Sequence, residues 1–336
     1  MKENDTYFLG IDVGSVSTNL VILDDSLDVV ASVYERTRGE PIRAVQRGLE
    51  ILLEQMGGEV PIRGVGTTGS ARQLSGAMVG ADVVRNEITA HATATLHILP
   101  DVRTILEIGG QDSKIIIVRD GVVVDFAMNT VCAAGTGSFL DHQAQRLGIP
   151  IERFGELALK AEKGVRIAGR CTVFAESDMI HKQQVGHPVE EILYGLCQAL
   201  VRNYLNNLAK GKDVLPPVAF QGGVAANRGI VRAFEEALQC EVTVPPHFNV
   251  MGAIGAAILA RERVLQTGAP SRFRGFSAAQ MDFTTSSFIC QGCSNNCEIV
   301  KMKHEGKTIA HWGGRCGRWE LSEVETLSFE PATETH

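Results

Sequence analysis

Residues 106–118 read LEIGGQDSKIIIV, and this stretch repeats a pattern found in residues 7–25, which read YFLGIDVG and then SVSTNLVILDD. Both copies contain an apolar strand, an acidic residue, a glycine turn, a small hydroxyl residue and a second strand. At an offset of 95 residues the aligned pairs are Asp12 with Glu107, Gly14 with Gly109, Thr18 with Ser113, and Asn19 with Lys114. A single repeat at this spacing indicates a duplicated domain, because the repeats of a solenoid protein are shorter and recur about every 20–50 residues.

Each copy continues into a third strand and then into helices, which predicts an α/β protein. The third strands are predicted at residues 27–34 and 120–127. Helices are predicted at residues 41–56, with Pro41 as the first helical residue, and at 188–209, 224–238 and 250–260.

The sequence also predicts the domain boundaries. We expect a first lobe at residues 1–98 and a second lobe at residues 99–275. A four-cysteine module is expected at residues 284–320, and the acidic, polar residues 321–336 are expected to form a flexible tail.

Composition narrows the class of protein. The chain has 336 residues, 44% of them hydrophobic, a net charge of −7 and a mean hydropathy near zero, as in a globular protein with room for two cores. The net negative charge gives no indication of the basic patch that a protein binding nucleic acid or an anionic membrane normally carries. The N-terminus lacks the pattern of a signal peptide, and no apolar stretch approaches the roughly 18 residues of a membrane span. We therefore expect a cytoplasmic protein.

The two glycine turns, DVGSVST and EIGGQDS, are predicted to bind nucleotide phosphates. Glycine lets backbone N–H groups approach phosphate oxygens, and the neighbouring hydroxyls add donors. The predicted positions in these turns are Asp12, Gly14, Ser15, Ser17, Thr18, Gly109, Gly110, Gln111, Asp112 and Ser113.

Three of these residues are predicted to be catalytic. Asp12 and Asp112 are candidates for holding Mg²⁺, directly or through water, because that ion prefers oxygen ligands. Gln111 is a candidate for orienting the attacking water, a role that glutamine has in other nucleotide hydrolases.

A third nucleotide-binding element is predicted at residues 218–229, VAFQGGVAANRG. An apolar strand runs into Gly222 and Gly223 at a helix start, a place that suits ribose or phosphates, and Asn227 follows in the same motif. The chain has neither GxxxxGK[ST] nor GxGxxG, so it is not a P-loop protein or a Rossmann dehydrogenase. The combination resembles the actin, Hsp70 and sugar-kinase superfamily, which implies two RNase H-like α/β lobes with nucleotide between them.

Eight cysteines favour metal or redox chemistry over disulfides in a reducing compartment. Cys197 lies on the apolar stripe of a helix and Cys240 begins a strand, so both are interpreted as structural. Cys132, in NTVCAAGTGSFLD, and Cys171, in GRCTVFAESD, each precede a predicted helix, whose partial positive charge favours a thiolate. Two thiolates are too few for a [4Fe–4S] cluster, but a two-fold dimer would supply four. The alternative is a pair of small core cysteines near turns.

The ordered motifs IDVGSVSTN, LEIGGQDSK, NTVCAAGTGSF, GRCTVFAESD and FQGGVAAN resemble the ATP-dependent activators of 2-hydroxyacyl-CoA dehydratases and the ATPase subunits of benzoyl-CoA reductases. The resemblance covers residues 5–265. It implies a homodimer with one [4Fe–4S] cluster on Cys132 and Cys171 of each chain, and ATP and Mg²⁺ in the cleft, with Gly135 and Gly137 among the nucleotide-binding residues. It also implies ferredoxin or flavodoxin as electron donor and an iron–sulfur dehydratase or reductase as acceptor.

The C-terminal cysteines form a separate pattern. Cys290, Cys293 and Cys297 are spaced CxxCxxxC, and Cys316 follows after 18 residues. Four thiolates at such spacing suit zinc or a second iron–sulfur cluster, with unligated thiols as the alternative. Short family members normally stop before this segment, which is similar to the segment that follows the activator domain in longer, fused members. A further interpretation is therefore that the chain is one piece of a split system.

Two other functions stay open at this point. A small-molecule kinase of the same superfamily would need an acceptor pocket and an aspartate base, and no such aspartate is assigned. A regulatory ATP-binding protein with a zinc module is the other. Iron content, ATP turnover and acceptor dependence separate these three functions.

Overall fold

A computed structural model describes residues 6–319. Within these residues the strands form two five-stranded sheets and one three-stranded sheet. The first sheet, in the order β3-β2-β1-β4-β5, contains β1 (Tyr7–Val13), β2 (Ser17–Leu23), β3 (Val29–Arg36), β4 (Ile62–Thr68) and β5 (Val83–Val84). The second, in the order β10-β9-β6-β7-β8, contains β6 (Thr104–Ile108), β7 (Ser113–Arg119), β8 (Val122–Asn129), β9 (Val218–Gln221) and β10 (Val242–Thr243).

Nine α-helices accompany these sheets in the described residues. They are α1 (Pro41–Met56), α2 (Arg72–Val79), α3 (Glu87–Ile98), α4 (Gly137–Leu147), α5 (Ile151–Ala158), α6 (Thr172–Gln184), α7 (Val189–Tyr204), α8 (Arg228–Leu238) and α9 (Met251–Thr267). No helix in residues 6–319 is both long enough and apolar enough to cross a membrane.

The repeat found in the sequence has the same strand register in the two hairpins. Asp12 pairs with Asn19 between β1 and β2, and Glu107 pairs with Lys114 between β6 and β7. The turns close in the same way, because Gly14 N–H donates to the Ser17 carbonyl (2.9 Å) as Gly109 N–H does to Asp112 (3.0 Å). The two-lobe α/β architecture expected from the duplication is confirmed.

Helices start and end near the predicted residues where local signals are strong. Pro41 opens α1, which ends at Gly57 in the left-handed conformation (φ 72°). The predicted helix at 188–209 is α7 followed by a five-residue π-helical segment, Leu205–Ala209. The predicted helix at 224–238 is interrupted at Asn227, whose side chain accepts hydrogen bonds from Gly229 N–H and Ile230 N–H and so caps α8.

Helix α9 lies against the first sheet, although its residues fall in the range 99–275 expected for the second lobe. It packs with Phe8, Val21 and Leu23 of that sheet. Gly10 and Gly66 leave no room for a Cβ beside the α9 carbonyls of Ala253 and Ala256. The chain thus returns to the first lobe after completing the second, a long-range contact that local patterns do not report.

The C-terminal strands also pack on the first lobe. The third sheet contains β11 (Phe283–Ile289), β12 (Glu298–His304) and β13 (Lys307–Trp312), in that order. Phe283 and Met302 join the core formed around α1 and α2, and Gln46 of α1 donates to the Met281 carbonyl (2.8 Å). The tail predicted at residues 321–336 lies outside the described residues.

We expect Gly66→Ala to lower the free energy of unfolding by about 1–3 kcal/mol, because the added Cβ forces α9 away from β4. Chemical denaturation with a spectroscopic probe measures the change. Leu265→Ala is the control, because Leu265 lies on α9 with 53% of its surface exposed and is expected to leave stability within about 0.5 kcal/mol. Equal stabilities of Gly66→Ala and wild type would contradict the close packing.

Candidate nucleotide cleft and cysteine surface

The two glycine turns face a common cleft between the lobes. A small cavity of about 90 Å³ contains both turns, and a neighbouring cavity of about 310 Å³ shares Val16, Tyr34 and Gly109 with it. The small cavity is lined by ten of the predicted residues: Asp12, Gly14, Ser15, Ser17, Gly109, Gly110, Gln111, Asp112, Gly222 and Gly223. Gly137 and Asn227 line the larger cavity. The structure therefore brings twelve of the fifteen predicted nucleotide-binding residues to one cleft.

The other three predicted residues line neither cavity. Thr18 is fully buried, and its hydroxyl bonds to that of Thr37 (2.9 Å), which in turn donates to the Gly14 carbonyl (2.8 Å). Ser113 is fully buried on β7, and Gly135 is buried beside the side chain of Asn203. Thr18 thus supports the first turn from behind because its strand position points it into the lobe, away from the cleft.

Lys114 is the centre of the cleft's charge network. Its side chain is 3% exposed, and its ammonium lies 2.7 Å from Glu87, 3.0 Å from Glu107 and 3.0 Å from Asp112. Burial alone would lower the pKa of Lys114, but these three carboxylates outweigh it and hold the pKa well above its usual range. Glu87 begins α3, a helix that packs against both the second sheet and α9, so the network lies where the two lobes meet.

The pKa values of two carboxyl groups in the cleft, Asp12 and Glu107, are raised towards neutrality. Burial raises the pKa of Asp12 from 3.8 to about 7, and the nearby charge of Glu87 adds to the rise. Burial likewise raises the pKa of Glu107 from 4.5 to about 8, against the opposing effect of Lys114. Asp12 has little freedom to move, because Gly69 and Gly252 pack directly against its carboxylate. The cleft therefore carries excess acid, an arrangement that a divalent cation would stabilise.

His91 anchors the helix that carries Glu87. It is buried, and burial lowers its pKa to about 3, with the ammonium of Lys114 adding to the effect. The neutral ring accepts at Nδ1 from the Gln221 amide (2.9 Å), whose oxygen accepts from Thr95 (2.8 Å). This network joins α3 to β9 and fixes Glu87 one turn earlier in the helix.

The roles of Lys114, Glu107 and Glu87 were not found in the sequence. The repeat alignment contained a signal for two of them, because it paired Asp12 with Glu107 and Asn19 with Lys114. A strand that points Asp12 into the cleft points Glu107 there too. Glu87 lies outside the repeat, and its position follows from the placement of α3.

Cys132 and Cys171 each lie immediately before a helical segment of the second lobe. Cys132 precedes a short 3₁₀ turn, Ala133–Gly135, and Cys171 precedes α6. The Asn129 side chain accepts from Cys132 N–H (2.9 Å) and donates to the Cys132 carbonyl (2.8 Å). Asn203 donates to the Gly169 carbonyl (2.7 Å), and its amide nitrogen lies 4.0 Å from the Cys132 sulfur. The two cysteine segments are thus held by one asparagine.

The surface around these cysteines is apolar and uncovered. Val131 is 95% exposed, and Val173 and Phe174, next to Cys171, are 67% and 65% exposed. Both cysteines are half-buried. Exposed apolar side chains grouped on one surface usually mark a site of protein interaction. We therefore interpret the cysteine surface as an interaction surface.

The remaining cysteines fall into two groups. Cys197 is fully buried in the second-lobe core, and burial raises the pKa of its thiol well above the usual range, which agrees with the structural interpretation. Cys290, Cys293, Cys297 and Cys316 lie at the end of the third sheet. Within residues 6–319, no three Cys, His, Asp or Glu side chains are placed together as ligands for a metal ion.

Two α/β lobes with paired phosphate-type turns around one cleft define an ATPase of the actin-like class. Residues 9–260 match the BadF/BadG/BcrA/BcrD ATPase family, and the chain belongs to it. The resemblance drawn from the sequence motifs is thereby confirmed.

Individual relatives agree with this assignment. The (R)-2-hydroxyglutaryl-CoA dehydratase activating ATPase of Acidaminococcus fermentans is 36% identical over 261 residues, covering 76% of this chain and 98% of that protein. The activator of lactoyl-CoA dehydratase of Anaerotignum propionicum is 38% identical over 258 residues, with 76% and 98% covered. The solved structure of the activator of the 2-hydroxyisocaproyl-CoA dehydratase from Clostridium difficile with bound ADPNP has a TM-score of 0.72 at 33% identity, covering 78% of this chain and 97% of its own.

We expect Lys114→Gln to lower the free energy of unfolding by about 3–5 kcal/mol, because it leaves buried carboxylates without their cation. The deficit should be larger at pH 8 than at pH 5, since Glu107 can become neutral by protonation at the lower pH. Chemical denaturation at both pH values measures it. Lys212→Gln is the matched control, because Lys212 pairs with the half-exposed Asp125. Similar small losses in both variants would argue against a central role for Lys114.

We expect Asp12→Asn to be more stable than wild type in the absence of nucleotide and Mg²⁺, while losing ATP hydrolysis. The folded-state pKa of Asp12 is raised, so wild type loses stability as pH rises from about 3.8, and the loss levels off above about 7. The difference in unfolding temperature should grow over that window. Asp213→Asn, at a 76% exposed side chain, is the control and should follow wild type. A difference that is constant with pH would rule out the raised pKa.

Proposed function

We propose that this chain is an ATP-hydrolysing activator that donates a low-potential electron to an iron–sulfur partner of the 2-hydroxyacyl-CoA dehydratase or benzoyl-CoA reductase type. Its family membership supports the ATPase activity. The names of its relatives, which activate 2-hydroxyglutaryl-CoA and lactoyl-CoA dehydratases, support the class of partner. Ferredoxin or flavodoxin is the proposed electron donor.

The cleft is the proposed ATP site. The turns at Gly14 and Gly109–Gly110 would receive the phosphates on backbone N–H groups, and Asp12 and Asp112 would hold Mg²⁺. Gln111 lines the same cavity and would orient the attacking water. The larger cavity beside it, between Tyr34 and Asn227, suits the nucleoside. The relative solved with bound ADPNP supports a nucleotide here.

The cysteine surface is the proposed cluster site. A [4Fe–4S] cluster, which takes up and releases single electrons, needs four thiolates. Each chain offers two half-buried thiols, so a second copy of the chain is required. The exposed Val131, Val173 and Phe174 beside the cysteines are suited to contact that second copy and exclude water.

The observation that carries the proposal is a direct link between the phosphate turn and the cysteine segment. The N–H groups of Gly137 and Ser138, at the start of α4, donate to the carbonyls of Gly109 (2.9 Å) and Gly110 (2.8 Å). The Ser138 hydroxyl also donates to the Gly110 carbonyl (2.5 Å). Cys132 lies five residues before Gly137, so any change in the turn on binding or losing a phosphate reaches the segment that holds this cysteine.

This link assigns roles in the proposed mechanism to several residues of the chain. The turn at Gly109–Gly110 binds phosphate and moves with it, α4 transmits the movement, and Asn203 carries it to the segment that precedes Cys171. Asp178 steadies that segment, because its carboxylate accepts from Ala168 N–H (2.8 Å). Nucleotide state can change the surroundings of both thiols only to the extent that ATP and ADP bind the two arrangements differently.

The test is metal analysis of protein purified without oxygen. We expect about four iron atoms and four acid-labile sulfides per two chains in wild type, and their loss in Cys132→Ser and Cys171→Ser. Cys240→Ser, at a half-buried cysteine away from this surface, is the matched control and should keep its iron. Asp112→Asn should keep its iron but lose most of its ATP hydrolysis, since Asp112 lies in the cleft.

Two outcomes would overturn the proposal. Wild type that contains zinc but no iron would exclude electron transfer and favour a regulatory ATP-binding protein. ATP turnover that depends on a small-molecule acceptor, in iron-free protein, would favour a phosphotransferase.

A further inference from the structure

We propose that Cys290, Cys293, Cys297 and Cys316 form a site for one tetrahedral zinc ion at the end of the third sheet. This segment lies beyond residues 9–260, which match the ATPase family, and packs on the first lobe, whereas Cys132 and Cys171 belong to the second. The inference therefore stands apart from the proposed electron transfer.

The register of the third sheet brings all four cysteines to one end. Strands β11 and β13 both end beside the start of β12, where Ile289 pairs with Glu298 and Trp312 with Val300. Three of the cysteines lie in the loop that joins β11 to β12. Cys316 follows the end of β13 at the same edge. Two chain segments, separated by 18 residues in the sequence, thus present thiols to one place.

Specific contacts fold these two segments against each other. Cys290 N–H donates to the Cys297 carbonyl (2.8 Å), which closes the loop, and Asn296 N–H donates to the Cys293 carbonyl (3.3 Å). The indole N–H of Trp319 donates to the Cys290 sulfur (3.3 Å), so the segment that carries Cys316 folds back onto the loop. The thiol of Cys290 already has the contact that an outer-sphere donor makes to a metal-bound thiolate.

A bound ion would bring the four sulfur atoms together. Within the described residues the four thiols do not meet at one point. The exposed side chains of Cys293 and Cys316 can rotate at little cost, because neither is packed in a core. Metal binding commonly finishes the folding of such a loop, because the free energy of binding is also free energy of folding.

A bound ion would add to the stability of the small sheet. Its apolar anchors are the buried Ile299 and the packing of Phe283 and Met302 in the first-lobe core. Exposed thiols without a metal would also be open to oxidation. Arg315 and Arg318 flank Cys316 in the sequence and would offset the double negative charge of four thiolates around Zn²⁺.

The loop can present two of its thiols to one metal ion. Cys290 and Cys297 are joined across the end of an antiparallel ladder, where Cα atoms lie about 5.5 Å apart. Two sulfurs about 2.3 Å from one zinc ion are within reach of side chains at that separation. The ion expected at a site of four cysteines is zinc, with iron and sulfide as the alternative that the test distinguishes.

The test uses the full chain with Cys293→Ser and Cys316→Ser, because both cysteines are exposed and their replacement opens no cavity. We expect about one zinc per chain in wild type and its loss in both variants. Cys240→Ser and Cys132→Ser should keep zinc. Zinc-free wild type should bind Co²⁺ with the visible absorption of tetrahedral thiolate coordination, and both variants should lack that absorption.

Three results would overturn the site. These are wild type without zinc that also fails to give the Co²⁺ spectrum, zinc retained in Cys316→Ser, and iron with sulfide lost from that variant in place of zinc. Failure of the proposed electron transfer has a different signature, because it concerns iron that depends on Cys132. Circular dichroism of each variant checks that the two lobes stay folded.

Discussion

The ammonium group of Lys114, buried among carboxylates from both lobes, is the interaction on which the cleft depends. A buried charge must be paired, and here the partners come from α3 on one side and from the β6–β7 hairpin on the other. Burial raises the pKa of Asp12 to about 7 and that of Glu107 to about 8, and neighbouring carboxylates add to both rises against the effect of Lys114. A divalent cation bound in the cleft would reduce the excess of negative charge.

Close packing of α9 gives this charge network its fixed geometry. Small residues let the helix contact β1 and β4 at backbone distance, and Gly252 at its start lies against the carboxylate of Asp12. The Asp12 side chain in the cleft is therefore positioned by a helix that returns from the far end of the family domain. Glycine at such a contact is required by space and not by a turn, because any larger residue would displace either the helix or the acid.

Much of the fold could be predicted because its signals are local or repeated. The hairpin register follows from a repeat that aligns Asp12 with Glu107, and α1 follows from Pro41 and a terminal glycine. Most of the cleft residues lie in those same turns. The sequence could not show that α9 rejoins the first sheet, that Thr18 points inward, or that Glu87 reaches Lys114. Each of these depends on packing between segments far apart in the chain, which periodicity does not encode.

The link from phosphate turn to cysteine segment limits what ATP can do in this molecule. Hydrogen bonds from Gly137 and Ser138 transmit displacement, but they supply no energy of their own, and the shift in equilibrium equals the difference between the affinities of the two arrangements. A network of buried charges spanning the lobes makes intermediate arrangements costly, because separating Lys114 from Glu87 leaves charges unpaired. The pairing of Lys114 with Glu87 therefore opposes displacement of the β6–β7 hairpin relative to α3.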